Sequence, residues 1–241
     1  MDFNTGSSGG RPDDESRPLY SGETGGTAGG PPRGPVGGAG QEFSLSDPVG
    51  SFISTVRSVL LNPVGFFRGI ARQGDFVNPL VFALICAVIN GILGGIIGFL
   101  ISLAFVGDQG VGGVFGGLIS NIILTPIYAA IVLLIGAGIY YLLVLLLVRP
   151  RNAGFEATFR VVSYASASWL ISWIPLIGWI VGPIYGIVLS IFGLREVHST
   201  TTGRAALVVL IPVAVVLLLI VLLVTIGIGA ALFFESQQQI Q

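Results

Sequence analysis

From Pro79 to Phe234 the chain is almost continuously apolar, and its charges fall where that run breaks. All eleven basic residues are Arg. With the apolar stretches numbered in order, every Arg precedes the first, separates the second from the third, or separates the fourth from the fifth. A bilayer core of about 30 Å needs about 20 helical residues to cross, so stretches of this length are span candidates. Only helices and closed barrels satisfy their backbone in lipid, and barrel strands would alternate with period two. Leu142 to Val148 does not alternate. The expected fold is therefore an all-α integral membrane protein, a five-transmembrane-helix bundle with spans near 79–106, 114–148, 161–174, 176–194 and 205–234.

The flanks read differently. Twelve of the first forty residues are Gly, a composition that buries too little apolar surface to offset its ordering entropy. Residues 1–47 are expected to be a disordered tail, and 235–241 a short C-terminal one. Between tail and membrane domain (75–234), residues 48–74 read as an amphipathic region. Phe52, Ile53, Val56, Val59 and Leu60 recur at helical spacing, and Arg57, Arg68 and Arg72 accompany them. A helix of this kind is expected to lie in the membrane interface, to pack on the cytosolic end of the bundle, or both.

Seven Arg residues flank span ends, all on the side of the N-terminus; Asp108 and Glu235 fall on the other. Cytoplasmic loops carry the excess of Arg, so the N-terminus is expected inside and the C-terminus outside. Trp173 and Trp179 flank the turn between the third and fourth stretches. Indoles favour the headgroup region, which places that turn at the far interface.

Three groups of residues carry what chemistry the sequence offers. Arg149, Arg151, Arg160, Arg195, Glu196, His198 and Arg204 converge on the cytoplasmic side, a candidate face for anionic lipid or a protein partner. Asn121, Thr125, Tyr128 and Tyr164 form a candidate intramembrane polar face. Gly178, Gly182 and Gly186 line one stripe of the fourth span, where a second backbone can approach. That backbone belongs either to the same chain or to a second copy in a homo-oligomer.

Other classes are disfavoured. A net charge of −1 leaves no basic cluster for nucleic acid. His198 is the one His and Cys86 the one Cys, too few for a metal site. No cofactor is implied, no nucleophile–base–acid constellation is present, and the expectation is a non-enzyme. No Asp, Glu, Lys, Arg or His lies in the middle of a span, which argues against ion-coupled transport.

The stretch Phe155-Glu156-Ala157-Thr158-Phe159-Arg160-Val161-Val162-Ser163-Tyr164-Ala165, then Ile174-Pro175-Leu176-Ile177-Gly178, resembles the prokaryotic branch of the Yip-one (Ypt/Rab-interacting protein) domain family. So do Gly193-Leu194-Arg195-Glu196-Val197-His198 and Gly203-Arg204-Ala205. The resemblance spans roughly residues 58–225. It implies five transmembrane helices and a cytoplasmic N-terminus. Eukaryotic members associate with Rab-type GTPases and carry a D-L-Y-G-P segment, where this chain reads Asp75-Phe76-Val77-Asn78-Pro79. The expected function is to organise membrane or recruit partners at the cytoplasmic face; the alternative is a channel or transporter for a small neutral solute.

Overall fold

A computed structural model describes residues 42–104, 110–148 and 152–238, all within one unit, Gly37–Gln241. Residues 1–41 of the expected tail, Arg149 and Arg151 lie outside the described residues. All the regular elements described are helical: α1 Pro48–Leu61, α2 Pro63–Gly69, α3 Val77–Ala104, α4 Gly110–Leu147, α5 Phe155–Ala165, a 3-10 turn Ser166–Ser168, α6 Trp169–Ser172, α7 Ile177–Val197 and α8 Thr202–Gln238.

Among the described residues four stretches are long and apolar enough to cross a membrane: Val77–Ala104, Gly112–Leu147, Ile177–Val197 and Thr202–Ala230. They are the expected first, second, fourth and fifth spans. The third differs. It starts at Phe155 rather than Val161, on Gly154, whose φ of 94° favours glycine. It is then cut into α5, the 3-10 turn and α6. The Ser166 hydroxyl donates to the Ser163 carbonyl at 2.6 Å, the local side-chain bonding that bends helices. Thr158, Arg160, Ser163, Ser166 and Ser168 are all buried in this run. They are tolerated because α3, α4 and α7, not solvent or lipid, pack around it.

The chain reverses after α6 through a tight turn. The Ile177 N–H donates to the Pro175 carbonyl at 2.7 Å, around Leu176 at φ 64° and ψ −60°. This γ-turn is rare for a non-glycine residue. It throws α7 back along α6 at close range. A Cβ added at Gly178 would stand 2.2 Å from the Ile171 carbonyl oxygen, at Gly182 2.1 Å from Ser172 Oγ, and at Gly186 2.8 Å from Ser168 Oγ. The glycine stripe thus faces α6 and the 3-10 turn of its own chain.

α3 and α4 pair through Gly91 and Gly95, which face Thr125 and the Leu118–Asn121 turn. The core gathers at the end where α3 begins. Tyr164 meets Phe66 and Phe82 at 5.1 and 5.2 Å between ring centroids, and Phe82 also meets Phe43 and Phe52. Such pairs add about 0.5–1.5 kcal/mol each beyond area burial. Among the described residues of α8, Ala205, Val208 and Val209 join this core, and the side chains from Val215 to Ile228 are exposed.

Candidate functional site

At the end of the bundle where α3 begins, charge is buried. Arg160, on the inner face of α5, is 6% exposed. Its Nη1 donates to Glu42 Oε2 at 2.5 Å and its Nη2 to the Asp75 carbonyl at 2.9 Å. Its Nε faces Glu156 Oε1, one helical turn back, at 3.5 Å, without hydrogen-bond geometry. Glu42 Oε2 also accepts the Tyr164 hydroxyl at 2.9 Å, while Oε1 accepts the Ala71 N–H at 2.6 Å. A carboxylate with three donors, two of them on α5, fixes residues ahead of α1 against the centre of the bundle. Phe43, 2% exposed, seats the same segment beside Phe82. Gly74 makes room: at φ 149°, a Cβ there would meet Arg160 Nη2 at 2.8 Å. Residues 42–47, expected in the tail, are therefore docked.

A second cluster lies at the end of α7. Glu196 takes Arg68 Nε at 3.1 Å and Arg195 Nη2 at 2.6 Å, and Arg195 stands 5.2 Å over the Phe192 ring. His198 is 1% exposed. The Ala153 N–H donates to its Nδ1 at 3.0 Å. Thr158 Oγ1 lies 3.0 Å from its Nε2 and donates to the Gly154 carbonyl at 3.3 Å. This chain of donors requires a neutral imidazole with its proton on Nε2. Arg72, whose Nη2 donates to Ser199 Oγ at 3.2 Å, borders the same hollow of about 190 Å³ with Asn152 and His198.

Burial first, and the Arg72 charge second, push the His198 imidazole down to about 4. An unfolded chain titrates near 6.5. Between these values the unfolded state holds a proton that the folded state does not, so stability is complete above about pH 6.5 and falls as pH drops toward 4. The loss amounts to about 3 kcal/mol. Thermal unfolding in detergent from pH 8 to pH 4 should show this decline, and His198→Asn should flatten it. An unchanged slope in that variant would remove His198 from the account.

The structure divides the described members of the expected basic face. Arg160 and His198 are interior, Glu196 and Arg195 neutralise each other, and Arg204 is exposed. The expected intramembrane face divides as well. Thr125 Oγ1 donates to the Asn121 carbonyl at 2.6 Å, and Tyr128 is exposed near both. Tyr164 belongs instead to the Glu42 site. Two hollows lie along this face, one of about 140 Å³ between Asn90, Thr125, Tyr128 and Trp169 and one of about 280 Å³ lined by Ser102, Asn121 and the glycines around them. Among the described residues no cluster of His, Cys, Asp and Glu is placed to hold a metal.

Sequence reasoning missed Glu42, a lone acid in a Gly- and Pro-rich segment, 118 residues from its partner. The one available signal is Phe43 beside it, just ahead of the Asp47-Pro48 helix start.

The sequence matches the family model described as Yip1 domain over residues 57–223. No curated protein matches, and no solved structure does.

Proposed function

The chain belongs to the Yip1 domain family, and on that premise we propose a non-enzymatic, multi-pass membrane protein that organises the bilayer around it and recruits partners at its charged end. In this reading the α5–α6 run also crosses, giving five passages. Phe155–Ser172 is about 27 Å long, and Gly94, most of the way along α3, lies beside Trp173. The charged end, with Arg68, Arg72, Arg195 and Arg204, faces the cytoplasm by the positive-inside rule. An odd number of passages then sends the C-terminus outside.

The observation that carries this reading is the distribution of polar chemistry. The buried ion pairs gather at the charged end, and the mid-span segments of α3, α4, α7 and α8 hold no ionisable acid, base or imidazole. A protein so arranged works through its surface and its charged end. Arg68, Arg72 and Arg204 are exposed cations there, suited to anionic headgroups.

Reconstitution into liposomes with and without anionic lipid tests the proposal. The expected result is a shift in vesicle diameter that needs the protein, with permeability to small neutral solutes no higher than in protein-free vesicles. Solute flux at unchanged diameter would overturn it in favour of a channel along Asn121, Thr125 and Tyr128.

A further inference from the structure

The pre-span region is not laid flat. The Leu45 N–H donates to Asn78 Oδ1 at 3.2 Å, so α1 starts level with the first residues of α3. Phe52 then meets Phe82 at 5.3 Å between ring centroids, more than a turn into α3. At the far end of α1 the Tyr185 hydroxyl donates to the Leu60 carbonyl. Tyr185 stands eleven residues before Glu196, about 16 Å down α7 from the charged end. After the Asn62-Pro63 turn the chain climbs back along α7: Phe67 packs at Gly193, and Arg68 reaches Glu196 at 3.1 Å. Residues 48–69 therefore go in from the start of α3 to the 3-10 turn Ser166–Ser168 and return beside α7.

The inner side of α1 carries Ser51 and Thr55 beside Val59, Phe52, Val56 and Leu60, while the outer stripe is Val49, Ile53, Arg57 and Leu61, with Val49, Ile53 and Leu61 70%, 62% and 75% exposed. Several backbone groups at the tip are satisfied within the chain. The Asn62 N–H donates to the Ser58 carbonyl at 2.9 Å, its Oδ1 accepts the Gly65 N–H at 3.2 Å, Leu60 has Tyr185, and Pro63 has no N–H. Backbone at membrane depth must be satisfied in this way.

We propose that α1 and α2 form a re-entrant helical hairpin whose outer stripe, Val49, Ile53 and Leu61, contacts the acyl chains of the cytoplasmic leaflet alone. The occupant is lipid because the stripe is exposed and its far end is level with Tyr185, well inside a helix long and apolar enough to cross a membrane. Arg57, the one charge within α1, has a stem long enough to return its guanidinium to the headgroups. A wedge confined to one leaflet enlarges that leaflet's area relative to the other, which supplies the means by which the protein would organise the bilayer. This inference rests on the membrane reading above.

Nitroxides attached to single cysteines in a Cys86→Ala background test it in proteoliposomes. Leu61→Cys is the tip, Val49→Cys the entrance, Leu218→Cys on α8 the control for the membrane, and Asn152→Cys the control for water. The expected order of preference for oxygen over a water-soluble nickel relaxant is Leu218 and Leu61 high, Val49 lower, Asn152 lowest. A tip label as nickel-accessible as Asn152, with Leu218 still dry, overturns the hairpin and leaves the membrane reading standing. Leu218 wet overturns both.

Discussion

Arg160→Leu is expected to destabilise the protein by about 3 kcal/mol, the usual cost of removing one partner from a buried ion pair. The loss is large because Glu42 would keep its charge beside the aromatic cluster with only Tyr164 and Ala71 to satisfy it. Adding Glu42→Gln should recover much of that loss. The amide removes the charge and keeps an oxygen for Tyr164. Thermal or denaturant unfolding of both single variants and the double gives the coupling energy directly, and hydrogen exchange at Phe43–Asp47 should rise in Arg160→Leu alone. Additive single-variant effects, or a loss under about 0.5 kcal/mol, would show that the pair does not hold the segment.

Gly178→Ala is expected to be of comparable severity, and worse than the same change at Gly182 or Gly186. The decisive difference is what each new Cβ meets. At Gly178 it meets the Ile171 carbonyl oxygen and the Ser172 backbone, which cannot turn aside. At Gly182 and Gly186 the nearest atoms are the hydroxyls of Ser172 and Ser168, which can rotate away. Overpacking costs about 1–3 kcal/mol, and Gly178→Ala belongs at the upper end because α7 must move off α6. The ranking is read from melting midpoints. The homo-oligomer alternative makes a different forecast: a change in oligomeric state by light scattering, with each monomer as stable as before. That result would reassign the stripe to an interface between copies.

How legible this molecule was depended on whether a signal was local. The apolar runs that became α3, α4, α7 and α8 could be read directly, because length and hydropathy are properties of a single segment. The third run was harder. Glu156 and Arg160 looked like loop charges, yet both sit on α5, where Arg160 is neutralised by a residue 118 positions away. No periodicity encodes that pairing. The burial of Ser51 and Thr55 on α1 was not legible either, because it depends on the 3-10 turn, more than a hundred residues away, that α1 packs against. The glycine stripe was visible, whereas its partner became identifiable only once the γ-turn at Leu176 had folded α6 against it.

The docked residues ahead of α1 also bear on where this domain begins. The family match opens at residue 57, inside α1, and leaves out Glu42. A polypeptide trimmed to the match would keep Arg160 and lose its closest counter-charge, with Glu156 at 3.5 Å the remaining acid in reach. The stretch that sequence comparison recognises and the stretch that is electrically self-contained are thus different lengths. The latter starts at least fifteen residues earlier, so anything that displaces Glu42 would act on the buried interior of the charged end rather than on its periphery.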